Sequence, residues 1–489
     1  MIILLALLLG ADAAAVPATI VVAPFAVKGG AQPWVGVAVA ESMLDVVVQA
    51  NRDSFFDLKQ LDAVLRRRDL RLDDLRGAGA VDLARALGAT DLITGEAKLK
   101  GGSWSIKSAR VKVADGSIVD TANADGPAAA LAAIAQKLGR ALLDVEGTEA
   151  PVTKDMKALE LTTLCEMQLA RQPLGARSKM TLSAQQLEEA EQQCKGALAI
   201  DPEFALARAG LAMTLAARGK FAEAREEAQR ARKDRFVPLA VLAEAYAIRG
   251  MHDPVAWSAL LVEAVRERPG FLHALGYLAE DRMELGEDRE ALELFDLYLQ
   301  RSPNNPWAMS RKARQLARVL RFDEAIELSE RALSLNPGDP ELLIETASRY
   351  IDAARNPRRA VPLLKQAMGA TPPRPLAALR LADLYIHGHK LSQARAALEK
   401  CLQLAGREDD ARTRGLAHAD LARIDAKQNK YAAAIAELQK ARGEGNNHLP
   451  CREPELARWK ERPELKRLCV EAAAATADDN PDEEFPGDL

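Results

Sequence analysis

Trp307, Arg311, Arg314 and Arg318 recur at spacings of 3 and 4, which stacks them along one face of a helix. Guanidinium forks grip carboxylates through parallel N–H···O contacts, so the stripe suits an acidic segment or a C-terminal carboxylate. The same arginines read equally as a solvated face neutralised by nearby glutamates. Residues 17–150 hold neither His nor Cys, which removes the common nucleophile–base arrangements from that stretch. Carboxylate catalysis there would need two acids converging in a cleft. Asp91 and Glu96 are the nearest candidates, although both suit turn and edge-strand positions. Gly29-Gly30 and Gly101-Gly102 lack the Gly-Lys-Ser/Thr that follows in a phosphate loop, and hairpin turns are their better use. His387 and His389 diverge on a helix, and no carboxylate or Cys repeats at a ligand spacing. Neither a metal nor a cofactor is expected, and the chain reads as a binder rather than an enzyme.

The five cysteines divide unevenly. Cys165 and Cys194 fall on helices expected to be antiparallel neighbours, and Cys451 and Cys469 flank the last helical segment, so both pairs come within disulfide reach. Cys401 is left over at a position suited to a small buried hydrophobe. Five inert buried thiols remain the other reading. At the N-terminus, the apolar run Ile2–Leu9 is followed by Ala-x-Ala sites at residues 11–15, the pattern of a secretory leader over residues 1–15. No Lys or Arg precedes the run, as a leader would have, and a buried strand is the alternative. The run is too short to span a bilayer, so the mature chain is expected to lack a transmembrane segment.

A chain of 489 residues with 48% hydrophobic and 28% charged side chains exceeds one core and folds as two or more domains. Its net charge of -4 gives no basic excess for nucleic acid or anionic lipid. An aromatic content of 4% amid abundant Ala and Leu favours packed helices over a large sandwich.

Residues 17–146 alternate strand and helix signals. Strands are expected at 18–25, 55–58, 91–99, 103–113 and 117–121, with a hairpin at Gly101-Gly102 and a turn at Asp115-Gly116. Helices are expected at 36–50, 61–65, 81–87 and 127–144. From about 155 to 445 a different order takes over. Ala190, Ala224, Ala291, Ala325, Ala360, Ala394 and Ala434 recur, with steps of 34 from 190 to 224 and from 291 to 325. Apolar residues follow four and seven places later, which puts a close-packing stripe on each helix. Pro202, Pro269, Pro303, Pro337 and Pro372 close successive helix pairs. The repeat resembles the tetratricopeptide family, and about eight pairs are expected, with residues 171–185 inserted. The family places its groove on the first helix of each pair. This resemblance sets Tyr277, Glu280 and Glu345 beside the Trp307, Arg311, Arg314 and Arg318 stripe as partner-binding residues. A capping helix at 450–475 and a disordered acidic tail at 476–489 complete the chain.

The N-terminal part carries a second resemblance. Val22, Pro24 and Phe25 in a strand, then Gly88, Asp91, Ile93 and Gly95 ahead of paired strands, are similar to the N-terminal TolB or CsgG/FlgO-like domains. That likeness implies an envelope protein that binds proteins or builds assemblies, without catalytic residues. Neither a lipid-bearing Cys nor the long hairpins of a secretion pore are present.

The fold class expected is therefore multidomain, a small mixed α/β domain followed by an all-α repeat solenoid. The function expected is an exported, non-catalytic envelope adaptor, periplasmic or otherwise exported, whose partners are other proteins of envelope or outer-membrane assembly. A regulator sensing a ligand or partner through the α/β domain, and a cytoplasmic scaffold, are the alternatives.

Overall fold

The protein is described here as a computed structural model covering residues 17–67, 78–146, 152–170, 182–352, 356–370, 374–407, 410–451 and 453–478. The leader at 1–15, most of the insertion and the acidic tail from 479 lie outside the described residues. Packing divides the chain into two compact units, one ending at Gln315 and one beginning at Leu316.

The first unit opens with β1 (Thr19–Val22), β2 (Ala26–Lys28), α1 (Trp34–Ala50), β3 (Ser54–Phe55), α2 (Leu58–Arg67) and α3 (Ala78–Leu87). Then come β4 (Asp91–Lys100), β5 (Ser103–Lys112), β6 (Ile118–Pro127) and α4 (Leu131–Leu143). One mixed sheet runs in the order β3-β1-β4-β5-β6, with β2 on the far end of β4. β1 pairs parallel with β3 and β4, whereas β4, β5 and β6 form an antiparallel meander.

Several boundaries differ from the sequence expectation. The single strand at 18–25 is two, because Pro24 has no N–H to give the ladder and the chain rejoins β4 only at Ala26. The second strand lies at Ser54–Phe55 rather than 55–58, since Asp57 and Gln60 exchange hydrogen bonds of 2.9 and 3.3 Å that open α2. The last strand runs on to Pro127, because β5 offers a partner along its length. Gly101 and Gly102 both have positive φ, as a tight hairpin matching the strand twist requires.

Of the 17 residues of α1, 13 are buried. A helix apolar on all sides must be covered on all sides. Here α1 packs on the strands and α4 and also on α5 (Met156–Ala170), the first repeat helix. The remaining helices of this unit are α6 (Ala184–Ile200), α7 (Ala205–Ala217), α8 (Phe221–Ala231), α9 (Pro238–Gly250) and α10 (Pro254–Glu267). They continue with α11 (Leu272–Glu284), α12 (Asp288–Arg301) and α13 (Pro306–Arg318), which ends just past the boundary.

One hydrophobic core runs from Ile20 to Ala308. Residue 146 is thus a change of secondary-structure type, while compactness continues across it. The joint is made of backbone as well as side chains. The Phe55 N–H donates to the Gly270 carbonyl at 3.2 Å, and the Phe55 and Phe271 rings stack at 5.5 Å. The Thr19 hydroxyl donates to the Arg301 carbonyl at 2.5 Å, and the Ser302 hydroxyl to the Gly88 carbonyl at 3.1 Å.

The second unit contains α14 (Phe322–Leu335), α15 (Pro340–Asp352), α16 (Pro357–Met368), α17 (Pro375–His387), α18 (Leu391–Arg407), α19 (Ala411–Lys427) and α20 (Tyr431–Gly443). Among the described residues, α5 to α12 form four successive helix pairs in the first unit and α15 to α20 form three in the second. The recurring alanines at 190, 224, 291, 325, 360, 394 and 434 are all 0% exposed. The third pair, α9 and α10, breaks the pattern: Trp257 holds the small-residue place, meeting Tyr277 edge-on at 5.6 Å, and α9 and α10 touch less extensively than the helices of neighbouring pairs. The segment expected as one capping helix is two, α21 (Pro454–Ala457) and α22 (Pro463–Asp478), whose Leu456, Leu465 and Leu468 cover Ala434 and Leu438.

A Cβ at Gly88 would lie 2.4 Å from the Asn305 backbone in a left-handed conformation, φ +77°, whereas one at Gly219, φ +78°, would meet nothing. Gly88→Ala is therefore expected to cost about 2–4 kcal/mol, conformation plus clash, and Gly219→Ala about 1 kcal/mol. Urea denaturation of both variants measures the difference, and equal losses would show that the joint does not need the close approach.

Candidate functional site

Two arrangements in the first unit concentrate polar groups. The first contains the residues singled out from sequence. Glu280, on α11, is fully buried, and Arg311 Nε of α13 lies 3.1 Å from its Oε1. Burial raises the Glu280 pKa from its ordinary value, against the pull of Arg311, Arg314 and Arg249. The Arg311 guanidinium also lies 5.8 Å over the Trp307 ring. Tyr277 is buried and stacks on His273 at 4.9 Å. Trp307 packs on Tyr298 at 5.7 Å and Phe295 at 6.4 Å. Arg318 is exposed at the end of α13. In the second unit, Glu345 lies one turn from Arg349, 3.5 Å away. The structure therefore brings Trp307, Arg311, Arg314, Tyr277 and Glu280 together, with Arg311 committed to a buried carboxylate.

The second arrangement was not read from sequence. A cavity of ≈ 90 Å³ lies where α1 and the start of α2 face α5 and the beginnings of α7 and α9. That is room for several waters or a small ligand. Its apolar wall includes Leu44, Leu159, Phe204, Phe236 and Leu242. Its charged lining is mostly acidic. Asp45 is held by Arg235 and by the Gln136 amide at 2.9 Å. Asp57 accepts from the Gln60 N–H and contacts His273 Nδ1 at 2.6 Å. Despite its burial, these contacts hold the Asp57 carboxyl below its usual range. Lys59 donates to the Leu169 carbonyl at 2.5 Å.

Glu41 and Glu166 have no such help. Glu166 is 5% exposed, and its Oε2 has no hydrogen-bond partner among the described residues. Burial, then the charge of Glu41, pushes its pKa well above the carboxylate range. Burial, then Asp57 and Asp45, pushes Glu41 up to about 8. They titrate as a pair in one field. The signal was faint in sequence, because an acid inside an otherwise apolar helix stripe looks like an ordinary surface position until the opposing helix is known.

Other sequence candidates separate. Asp91 faces Arg110 at 2.7 Å and Glu96 faces Lys28 at 2.5 Å, so the two acids do not converge. Cys165 and Cys194 are joined with Cα atoms 6.0 Å apart, as are Cys451 and Cys469, and Cys469 sits within α22 rather than beyond it. Gly210 leaves room for the first pair, since a Cβ there would lie 2.6 Å from the Cys194 sulfur. Cys401 is free and buried, its thiol pushed up to about 12 by burial.

The repeating geometry finds its counterpart in known proteins. A family model described as tetratricopeptide repeat matches residues 181–246 and 353–413. The helices of those two stretches are tetratricopeptide repeats. Repeat arrays of this kind present extended surfaces suited to binding other proteins. A 146-residue stretch is 32% identical to the cellulose synthase operon protein C of Pseudomonas fluorescens (strain SBW25), covering 29% of this chain and 11% of that relative's length. Among solved structures, a human IFIT1 dimer with m7Gppp-AAAA is similar at 15% identity and TM-score 0.43, over 66% of this chain and 72% of that one. A tetratricopeptide repeat protein from Parabacteroides merdae is similar at 15% identity and TM-score 0.37, over 65% and 99%. Among the described residues, no helix is long and apolar enough to cross a membrane.

Two predictions follow from the charges. A carboxyl whose folded pKa is raised favours folding fully below its unfolded value near 4.5, and that contribution is lost as pH rises through about 8. Glu41→Gln should therefore match the parent near pH 4.5 and become progressively more stable than it towards pH 8, in chemical denaturation at each pH. A constant difference would contradict the burial. Arg311→Met takes from buried Glu280 the guanidinium that lies 3.1 Å away and should cost about 3 kcal/mol, most of it regained in Arg311→Met with Glu280→Met. A double-mutant cycle on thermal unfolding gives the answer.

Proposed function

We propose that the protein is an exported, non-catalytic adaptor of the cell envelope that holds partner proteins on its repeat array. The observation carrying the adaptor reading is the array itself, the helix pairs α5–α12 and α15–α20 among the described residues, with one small, fully buried residue recurring in nearly all. Export draws support from the leader-like run Ile2–Leu9 and from two cysteine pairs at bonding distance, an economy expected in an oxidising compartment. The resemblance of residues 17–146 to TolB or CsgG/FlgO-like domains adds an envelope location and a docking role.

Within this reading, the Trp307, Arg311, Arg314 and Arg318 stripe on α13 receives an acidic or C-terminal carboxylate segment of a partner. The α/β part docks through β6, an edge strand with Ile118 65% and Val119 48% exposed, onto which an extended partner segment adds. Asp120 and Asp125 on that strand favour a basic segment.

Crosslinked capture of the natively expressed protein, with the mass of its N-terminus from the same sample, tests the proposal. The expected chain begins near Ala14–Val16, contains one free thiol, and captures envelope proteins. Arg314→Glu with Arg318→Glu should lower that capture about tenfold, the loss of one anchoring charge pair. Ile118→Lys with Val119→Lys should remove a different set of partners. An intact Met1, five reduced cysteines and cytoplasmic partners would move the protein to an intracellular scaffold.

A further inference from the structure

The cavity beneath α1 asks for a ligand of definite charge. Four carboxyl groups line it, those of Glu41, Asp45, Asp57 and Glu166, against two cations, Lys59 and Arg235. Asp45 and Asp57 are satisfied by Arg235 and His273, and Lys59 is bound to a main-chain carbonyl. What remains is Glu41 and Glu166, the second with a buried Oε2 that has no hydrogen-bond partner among the described residues.

An unpartnered buried carboxyl is costly, and chains that keep one usually give it a task. The hydrophobic residues around it would serve better with a Leu or Met in that place if packing were the only need. Val152, Leu206 and Leu239 in the lining are partly exposed, so the apolar part of the wall reaches the surface there. An anion would sit beside the carboxylates of Asp45 and Asp57, and a neutral apolar guest would leave the Glu166 oxygen unmet.

We propose that this cavity is a binding site for a small organic monocation, an ammonium or guanidinium group on a short apolar body. The cation lies between Glu41 and Glu166 and its carbon chain lies against Phe204, Phe236 and Leu242. The ammonium gives Glu166 Oε2 the donor it lacks, and the stem replaces water on the apolar wall. The site is independent of the adaptor reading, because it is tested on the purified chain with no partner present.

The test is calorimetric titration of the full chain with n-butylammonium chloride, using n-butanol and butyrate of the same length as controls. n-Butylammonium should bind with a Kd near or below about 1 mM, within the reach of a five-atom ligand. It should bind at least about tenfold more tightly than n-butanol, and butyrate should not bind. Glu166→Gln, which keeps the shape, should weaken n-butylammonium at least about tenfold while leaving the circular dichroism spectrum unchanged. Leu206→Trp, placed where the wall is partly exposed, blocks entry and keeps the proposal testable should the first variant fail to fold.

A short blocked peptide with one central lysine is titrated in parallel, to separate a free amine from a partner's side chain. Binding of the peptide alone assigns the cation to a protein segment, and binding of n-butylammonium assigns it to a small molecule. Failure of both, equal binding of n-butanol and n-butylammonium, or undiminished binding in Glu166→Gln overturns the proposal.

Discussion

The two-residue strand β3 has its outer backbone hydrogen bond nowhere but on the first unit's repeats. Phe55 reaches the carbonyl of Gly270, in the turn before α11, so the sheet edge is closed by repeat backbone instead of solvent. An edge left open invites pairing with other chains. Closing it this way requires backbones to come very near each other, and two glycines supply the room: Gly270 against Asp53 and Gly88 against Asn305. Once that contact is made, Asp57 is carried to His273, and α1 is covered on its second face by α5. The shared core, the buried ion pair and the cavity all descend from one strand edge.

Charge inside this core is handled in two opposite ways. Asp45 and Asp57 each meet a cation or imidazole together with amide donors, and Glu280 has guanidinium groups around it. Such pairs gain little net stability over apolar residues, yet removing one partner is severe because the other stays buried. They consequently fix geometry more than they add stability. Glu41 and Glu166 follow the other course, shifting towards the neutral form instead, and Glu166 Oε2 has no hydrogen-bond partner among the described residues.

The repeat array was legible because its period rests on a steric demand that leaves few residue types: where helices cross closely, Ala190, Ala224, Ala291 and their successors admit almost nothing larger. The same logic hid the third pair. Trp257 replaces the small residue there, so the 33- or 34-residue step could not be followed through α10. In the α/β part, strand and helix order followed from alternation and turn glycines, while strand lengths depended on partners, as β6 extending along β5 illustrates. Of the stripe, spacing predicted that Arg311 and Arg314 share a face; it could not say that Glu280 is buried beneath Arg311, since that needs the packing of α11 on its neighbours. Glu41 and Glu166 lie 125 positions apart, and only the docking of α1 on α5 makes them one site.

A repeat array is stabilised mostly by contacts between neighbours, so its ends, which have one neighbour each, are where opening begins. Each unit answers this at its own terminal pair. In the first, α5 is covered by the α/β part and is joined to α6 by the Cys165–Cys194 pair. In the second, α20 is covered by α21 and α22, with Tyr431 against Trp459 at 5.1 Å and the Cys451–Cys469 pair alongside. A cross-link in the interior of such an array would restrain helices already held from both sides. Placed at the terminal pairs, it acts on those with the least to lose before they open, while Cys401, in an interior pair, is left as a buried thiol that its surroundings keep protonated.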